Sequence, residues 1–503
     1  MKFNFSEKNK IHIFFLAVTL ILGITVRLYG LNIQSLWFDE LFSVVAASTN
    51  FHIMYNFWLL RDFHPPLFQL LLFYWVHLFG NSEIAVRLPS AIAGVLSILF
   101  IYPLSKKVFD RHIALSATIL LSFSGAAIYY SQEARPYSFL LLFSTISTLL
   151  WLNVIKKFSN SQLKNKDLYL YIFAALLTCY THYFGVIFIG YQILYLVSIS
   201  FLERKYRLKS LLTAIMTGFL YSPWLFIHFS KVMRVSTEVR WVPAPDIFSL
   251  LAFVNFIFNY KIVLLLLIPV FASIRMLFLK ETYWKLKEIK PDNTVLALIY
   301  SIFAPILTVF IISQHGSLFY YRYFIELLPS IYILIAVLIS FNPDFNRERG
   351  TAYVFILSII SCFFFLFIPG YNIRANNLMN TGISYYKPHK QDWRAAVKDV
   401  LSKYDRNSVI IIYRDNYLYE YYLNKLKKSP DLKIIPNFND AGSAEFFSSV
   451  AGKFSKIFVF STFSRMPPQV EQAMSNAGLR CTPKDRNSMW TYYCLSSNNS
   501  SRE

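Results

Sequence analysis

Long apolar segments recur along most of the chain, and no other feature limits the possible folds so strongly. Segments long enough to cross a bilayer as helices are predicted at residues 11–31, 84–104, 113–130, 136–155, 168–182, 183–202, 209–229, 262–279, 294–313, 323–341 and 351–369. Because 55% of the 503 residues are hydrophobic and only 15% are charged, the chain is too apolar for a soluble protein. The sequence therefore predicts a polytopic α-helical membrane protein with about eleven transmembrane helices.

Basic residues predict how these helices are oriented. Among the loops that connect the spans, those on the side of the N-terminus hold twenty Lys and Arg residues, including Lys2, Lys8 and Lys10 of the N-terminal segment. The outer loops and outer span ends before the C-terminal part hold eight. Since cytoplasmic loops carry the excess of basic residues, the N-terminus is predicted to be cytoplasmic, in a multi-pass protein of the inner (plasma) membrane. This distribution also explains the net charge of +21 without a nucleic-acid partner. Two shorter apolar stretches, residues 66–79 and 247–260, are predicted as helices along the outer surface.

The C-terminal part of the chain differs from the rest because it is polar. Its pattern predicts one helix and three strands, at residues 392–404, 408–413, 456–460 and 489–495. The sequence thus predicts a transmembrane domain over residues 1–370, with a first outer loop at 32–83, and a soluble α/β domain over residues 371–503. An odd number of spans from a cytoplasmic start makes that domain extracytoplasmic. Cys481 and Cys494 lie within it, and their spacing is compatible with a disulfide or with two free thiols.

Two adjacent carboxylates, Asp39 and Glu40, follow the first apolar segment at the predicted outer face. Charges at a membrane boundary are costly unless they meet water, a cation or a substrate. Two like charges side by side also repel each other, so the sequence offers no structural reason for the pair. Asp39 and Glu40 are therefore predicted to be functional.

Further polar residues are predicted at the same outer face, where helix packing can bring them together: His64, Arg87, Glu133, Arg135, Tyr137, His182, Tyr183, Arg240 and Arg322. Some of these positions also have a structural explanation. Arg87 stands near Pro89 at the start of a span and can anchor the helix end. His182 at an apolar helix end can be a packing residue. Glu133 and Arg135 can close a short turn as an ion pair.

Six segments, read in chain order, resemble a known family. They are LWFDELFS, HPPLFQLLLFYW, SEIAVRLPSAIAGVL, YSQEARPYSFLLLF, THYFG and YYRYFIELLPSIYILIA. Together they resemble the GT-C membrane glycosyltransferases (family 39-like), in particular the bacterial branch related to the protein O-mannosyltransferases and the lipid A aminoarabinose transferases. The resemblance covers residues 11–341 and extends only loosely to the C-terminal domain.

The resemblance implies a catalytic transmembrane domain that takes a sugar from a polyprenyl-phosphate donor at the extracytoplasmic face. The acceptor is a lipid, a glycan or a protein. The resemblance further implies that Asp39 is the general base and that Glu40, beside it, binds the acceptor or a cation. In the related transferases a lysine near the lipid phosphate commonly stands where His64 precedes the double proline of this chain.

The chemistry of such a transfer calls for the same residue types. The acceptor hydroxyl is a weak nucleophile, so a base within hydrogen-bond reach is useful. Negative charge grows on the departing phosphate, which calls for cations placed in advance, and a guanidinium binds two phosphate oxygens at once. The predicted phosphate-binding residues are His64, Arg135, Arg240 and Arg322. The predicted residues of the substrate pocket are Glu133, His182, Tyr183, Arg87 and Tyr137. Attack from the face opposite the phosphate predicts inversion at the anomeric centre.

No cofactor is predicted to be required. Asp39, Glu40, Asp62 and Glu133 are hard oxygen ligands, which leaves Mg²⁺ or Mn²⁺ open, but no spacing demands a metal. Two other functions are compatible with the sequence: a flippase or transporter of lipid-linked sugars, and a scaffold whose outer domain binds a glycan. The clean spans, and the charges gathered at one face, favour the enzyme.

Overall fold

The computed structural model divides the chain into two compact units. It describes residues 7–62, 64–238, 242, 244–258, 293–316, 318–340, 355–356, 359–360, 390–413, 416–426, 432–438, 443–462, 464–486 and 489–497. The first unit contains Met1–Leu31, Asn50–Gly80 and Ile84–Tyr385, and the second contains Asn32–Thr49, Asn81–Glu83 and Tyr386–Glu503. The segment with Asp39 and Glu40 therefore groups with the C-terminal residues.

Helices make up the described part of the chain up to residue 340. They are α1 (Glu7–Leu28), α2 (Phe38–Ala47), α3 (Leu67–Phe79), α4 (Glu83–Val108), α5 (Arg111–Ser122), α6 (Gly125–Ser131), α7 (Tyr137–Ser159), α8 (Asn165–Thr181), α9 (Tyr183–Leu202), α10 (Arg207–Glu238), α11 (Ile247–Ile257), α12 (Asn293–Ile312) and α13 (Leu328–Ser340). Short helical turns cover Phe51–Ile53, Met54–Trp58, Leu59–Arg61 and Tyr321–Leu327. Trp151, Tyr171 and Phe188 are among the fully buried side chains of the first unit's core.

The long helices coincide with predicted spans. Six of the described helices are long and apolar enough to cross a membrane, namely α1, α4, α7, α9, α10 and α12, and the pair α5 and α6 makes a seventh if it is one span. This confirms a multi-pass helical membrane protein. The predicted span at 168–182 forms the 17-residue α8, and that at 323–341 begins within the short turn Tyr321–Leu327. The spans at 262–279 and 351–369 lie wholly or largely outside the described residues, so the number eleven stays a prediction.

The predicted span at 113–130 is bent by 54° between α5 and α6. Ser124 starts the second helix, because its Oγ accepts a hydrogen bond from the Ala127 amide at 3.2 Å. The bend interrupts the regular helical hydrogen bonds of the carbonyl groups at the end of α5. The buried guanidinium of Arg27 donates to the carbonyls of Ser122 and Leu121 at 2.8 and 3.0 Å, and the Leu121 carbonyl also accepts from the Ser124 amide at 3.4 Å. Packing here is tight, since a Cβ at Gly94 would clash with the side chain of Ser131.

The second unit contains a five-stranded sheet with helices. Its strands are β1 (Ser408–Tyr413), β2 (Ile434–Phe438), β3 (Lys456–Thr462), β4 (Leu479–Asp485) and β5 (Met489–Ser496), in the order β2-β1-β3-β5-β4. Strand β1 is parallel to β2 and β3, whereas β5 is antiparallel to β3 and β4. The helices are α14 (Trp393–Lys403), α15 (Asn416–Leu426), α16 (Ser443–Ala451) and α17 (Pro468–Asn476). The predicted C-terminal α/β fold is therefore confirmed.

The cysteine pair of the C-terminal sheet forms a disulfide. Cys481 and Cys494 face each other directly on the antiparallel strands β4 and β5, and their sulfur atoms are bonded. Spacing alone left both the bonded and the free form open. The pairing register of the two strands decides between them, because it places the two side chains on the same face of the sheet.

Candidate functional site

Three polar residues of the first unit form a hydrogen-bonded chain. The Nδ1 atom of His64 lies 2.9 Å from Oδ1 of Asp62, and Nη2 of Arg135 lies 3.3 Å from Nε2 of His64. A guanidinium only donates hydrogen bonds, so Nε2 of His64 accepts and the ring proton on Nδ1 is donated to the Asp62 carboxylate. Asp62 thus sets the orientation of the imidazole, and the imidazole in turn orients Arg135.

The local sequence explains why Arg135 stands where it does. Arg135 precedes Pro136, which is the N-cap of α7, so its side chain is placed at the start of a long membrane helix. Its backbone carbonyl accepts a hydrogen bond from Ser90 Oγ of α4 at 3.2 Å. The position of His64 is fixed in a similar way, because His64 stands two residues before Pro66, the N-cap of α3.

His182 adjoins this chain from the junction of α8 and α9. Its ring centroid lies 5.4 Å from that of His64. Its Nδ1 accepts a hydrogen bond from the Phe184 amide at 3.2 Å, which makes His182 the N-cap of α9. The rings of Tyr137 and Tyr323 lie at 5.8 and 5.3 Å from its ring. His182 therefore has the packing role that the sequence allowed, and it also lies next to the polar chain.

Arg322 lies among tyrosine rings. Its guanidinium carbon is 4.9 Å from the ring centroid of Tyr320, 5.5 Å from that of Tyr137 and 5.6 Å from that of Tyr323. The negative faces of aromatic rings attract a cation, and guanidinium groups stack well on such rings. The tyrosines thus hold the positive charge in a buried position without neutralising it.

We call Asp62, His64, Arg135, His182 and Arg322 the cationic cluster. The side chains of Arg135 and Arg322 are 5% and 9% exposed, so both guanidinium groups are almost completely buried. Arginine keeps its proton in proteins, and a buried charge acts more strongly than one in water. The cationic cluster is therefore suited to bind a doubly or singly charged oxyanion such as a phosphate.

Asp39 and Glu40 lie in the first turn of α2, in the second unit. Glu40 is fully buried, and its Oε2 accepts a hydrogen bond from the Trp37 amide at 3.3 Å, so it caps the helix. The sequence argument that the acid pair has no structural purpose therefore fails for Glu40. Asp39 is only half-buried, and it is the acid of the pair that solvent can reach.

The segment before α2 is held by residues of the C-terminal sheet domain, within the same unit. Gln391 accepts a hydrogen bond from the Phe38 amide through its Oε1 at 3.1 Å and from Ser35 Oγ through its backbone carbonyl at 2.9 Å. Tyr422 of α15 accepts from the Leu36 amide at 2.7 Å through its hydroxyl. Arg394 adds a hydrogen bond to the backbone of this segment. The first turn of α2, and Asp39 with it, is therefore positioned by residues of the C-terminal sheet domain.

Comparison with known proteins agrees with this architecture. Residues 63–227 match the model of the family described as dolichyl-phosphate-mannose-protein mannosyltransferase. No curated protein matches the chain by sequence. The fold is similar to the crystal structure of ArnT from Cupriavidus metallidurans in the apo state, with a TM-score of 0.59 and 11% identity over 97% of this chain and 98% of that chain. The chain therefore has the fold of ArnT, and about a third of it matches the mannosyltransferase family model. A second crystal structure, of ArnT from the same organism bound to undecaprenyl phosphate, matches 96% of this chain and 98% of that chain, with a TM-score of 0.56 and 12% identity.

Other predicted site residues lie beside the cationic cluster or away from it. Arg87 donates to the Leu31 carbonyl at 2.6 Å and so secures the chain after α1, as the structural alternative proposed. Glu133 is buried, and its carbonyl accepts from the Arg135 amide at 2.8 Å. Tyr183 is the first residue of α9, directly after His182. Arg240 lies outside the described residues. Within the described part of the chain, no group of three His, Cys, Asp or Glu side chains is arranged to hold a metal ion.

Some members of the site are not apparent from the sequence. Asp62 is expected there only as an oxygen ligand, and no role is expected for Tyr320 or Tyr323. The signals were present: an acid two residues before His64, and tyrosines on both sides of Arg322. Neither pattern predicts a role in the site by itself, because that role depends on which helix ends lie together in the folded protein.

Proposed function

We propose that this protein is a membrane glycosyltransferase that moves a sugar from a polyprenyl-phosphate donor to a lipid, glycan or protein acceptor at the extracytoplasmic face of the plasma membrane. The cationic cluster binds the donor phosphate. The observation that carries the proposal is the pair of buried guanidinium groups, Arg135 held by His64 and Asp62, and Arg322 held over tyrosine rings. Guanidinium groups oriented in advance stabilise the charge that grows on the leaving phosphate.

His64 has a different task in this proposal from the one that the resemblance implies for a lysine at its position. Its Nε2 accepts from Arg135 and its Nδ1 faces Asp62, so both ring nitrogens are engaged in the polar chain. We assign His64 to positioning Arg135, with Arg135 and Arg322 as the phosphate ligands. Arg240 is proposed as a further phosphate ligand on sequence grounds alone. Glu133, His182, Tyr183, Arg87 and Tyr137 remain our proposal for the substrate pocket.

Asp39 is proposed as the general base that removes the proton from the acceptor hydroxyl. Its half-buried position in the first turn of α2 supports this role, and Glu40 next to it stabilises the turn and completes the proposed catalytic pair. Attack by the activated hydroxyl on the face opposite the phosphate breaks the bond between the anomeric carbon and the phosphate oxygen. The product is then inverted at the anomeric carbon.

The extracytoplasmic location is supported by two observations. The distribution of Lys and Arg predicts a cytoplasmic N-terminus and an outer C-terminal domain. The disulfide between Cys481 and Cys494 lies in that domain, and disulfides persist in oxidising compartments. The orientation is tested with a single cysteine or a protease site introduced into this domain. A reagent or protease added outside intact cells should react with it, whereas reaction only from the cytoplasm would show the reverse orientation.

The proposal is tested with Asp39→Asn in the purified full chain and a radiolabelled polyprenyl-phosphate sugar. General-base catalysis contributes ~10²–10⁴-fold, so we expect transfer to fall by at least about a hundredfold while the donor lipid still binds. The matched control is Asp110→Asn, which removes the same charge from the start of α5. Asn is as good an N-cap as Asp, so the hydrogen bonds from His112 and Ile113 have a replacement acceptor.

Two outcomes would refute the assignment. Transfer by Asp39→Asn equal to that of the control would remove Asp39 as the base, and retention at the anomeric carbon would exclude a single displacement. We also propose that no cofactor is required. Activity that is lost on adding EDTA and restored by Mg²⁺ or Mn²⁺ would contradict this.

A further inference from the structure

The second unit contains a pocket that the transfer reaction does not use. It lies between α14 and the sheet, where strands β3, β4 and β5 face the helix, and its volume is about 160 Å³. Side chains of Asp399 and Lys403 line it from the helix, and those of Phe458, Lys484 and Tyr493 line it from the strands. At ~30 Å³ for each water molecule, this is room for about five waters, or for one small ring with its substituents.

Positive charge exceeds negative charge around this pocket. Asp399 is the central carboxylate, and three cations approach its oxygens: Arg486 Nη2 at 2.8 Å, Lys403 Nζ at 3.5 Å and Lys484 Nζ at 3.6 Å. The single negative charge of Asp399 neutralises one of these three positive charges. The surplus of two positive charges at the pocket favours a ligand that carries an anionic group.

One buried polar atom in the lining of the pocket, and one on a residue that is hydrogen-bonded to Asp399 of the lining, have hydrogen-bonding capacity to spare. Within the described residues, neither Nη1 of Arg486 nor Oγ1 of Thr491 has a hydrogen-bond partner, and both atoms are shielded from solvent. Thr491 is 4% exposed and lines the pocket. A buried polar group without a partner costs free energy, and a ligand that supplies a donor or an acceptor recovers it.

Aromatic rings form the remaining wall of the pocket. The rings of Tyr493 and Phe458 lie 5.3 Å apart, and Lys403 Nζ is 5.4 Å from the Tyr493 ring centroid. A pocket with aromatic walls, a few fixed polar groups and a cationic rim fits a compact ring that is apolar on its faces and polar at its edges. A pyranose with a carboxylate is such a ring.

We propose that this pocket is a binding site for an acidic monosaccharide unit of a glycan. The anionic group pairs with Lys403 and Lys484, the ring packs against Tyr493 and Phe458, and a ring hydroxyl bonds to Thr491, while Arg486 neutralises Asp399. The inference concerns binding by the soluble domain and holds whether or not the proposed transfer reaction is correct.

The test uses the full-length protein in detergent, with glucuronate, glucose and inorganic phosphate as probes in ligand-observed NMR titrations. We expect glucuronate to bind in the millimolar range, and glucose and phosphate to bind at least about tenfold more weakly. Lys403→Gln should weaken glucuronate binding about fivefold or more. Lys433→Gln is the matched control, because Lys433 also lies over an aromatic ring of this domain, that of Phe454, but does not line the pocket.

Each other outcome overturns the proposal. Phosphate binding as strong as that of glucuronate would mean an anion site without recognition of a sugar. Equal effects of Lys403→Gln and Lys433→Gln would place the binding elsewhere, and no glucuronate binding would leave no site. Lys403 is largely exposed, so its substitution should leave folding intact, and Thr491→Val provides a second, nearly isosteric variant. Transfer activity is not read in these experiments, so their failure is separate from a failure of the proposed function.

Discussion

Substitution Asp62→Asn isolates the contribution of the polar chain that orients Arg135. The Asp62 and His64 side chains are only 11% and 19% exposed, and their atoms are 2.9 Å apart. A hydrogen bond to a charged group of this kind contributes ~1.5–3 kcal/mol. Asn keeps the shape and an acceptor oxygen but removes the charge, so the imidazole is held less strongly in the tautomer that accepts from Arg135. If that energy is lost where the donor phosphate binds, kcat/KM for the donor falls by about 10- to 100-fold, at 1.36 kcal/mol for each factor of ten.

The assay for this prediction is initial-rate transfer at varied concentrations of a polyprenyl-phosphate sugar. The control is Asp167→Asn, which removes a carboxylate that pairs with Lys157 Nζ at 2.5 Å. That pair joins the other ends of α7 and α8, away from Arg135. We expect the control to keep the wild-type kcat/KM. The reasoning is refuted if the two variants lose equal amounts of activity, or if Asp62→Asn changes thermal stability but not the kinetics for the donor.

Two further predictions concern stability. Gly94→Ala should lower the melting temperature, because the new methyl group clashes with Ser131. Adding Ser131→Ala should restore part of the loss. A melting temperature unchanged by Gly94→Ala would contradict the packing described. Burial raises the pKa of the Asp399 carboxyl, but the hydrogen bond from Arg486 and the charges of Arg486, Lys403 and Lys484 outweigh it and hold the pKa below the ordinary 3.8. The carboxylate therefore stabilises the fold above about pH 4 and loses this effect as the pH falls further, so amide hydrogen exchange in β5 should accelerate below that pH in the wild type and less so in Asp399→Asn.

The membrane helices were the part of the fold most accessible from the sequence. A chain segment that crosses the bilayer must form its own backbone hydrogen bonds, so an apolar run of bilayer length predicts a helix. Six predicted spans accordingly coincide with described helices. The bend between α5 and α6 was not predicted, because it depends on Arg27, which is distant in sequence and binds carbonyls at the bend. Strand β4 was missed for another reason: its residues alternate in burial at the edge of the sheet and give no apolar run.

The candidate site was only partly accessible from the sequence. Residue type and position at helix ends were sufficient to select His64, Arg135, His182 and Arg322. The contacts among these residues could not be predicted from the sequence. Asp62 and His64 lie in a loop, whereas Arg135 lies at the start of a helix, 71 residues after His64. Glu40 has a structural role that its charge alone did not indicate. It accepts a hydrogen bond from the Trp37 amide and caps α2, as the residue three positions into a helix often does.

The attachment of the Asp39 segment to Gln391, Tyr422 and Arg394 limits how freely this protein can be rearranged in evolution or by engineering. A chimera that exchanges everything after the last span for the tail of a relative would also exchange the partners that hold the start of α2. Only transplants that carry both pieces together keep those hydrogen bonds. Modularity in this architecture therefore follows spatial grouping and not chain order, and a loop near the N-terminus has to be inherited with a domain near the C-terminus.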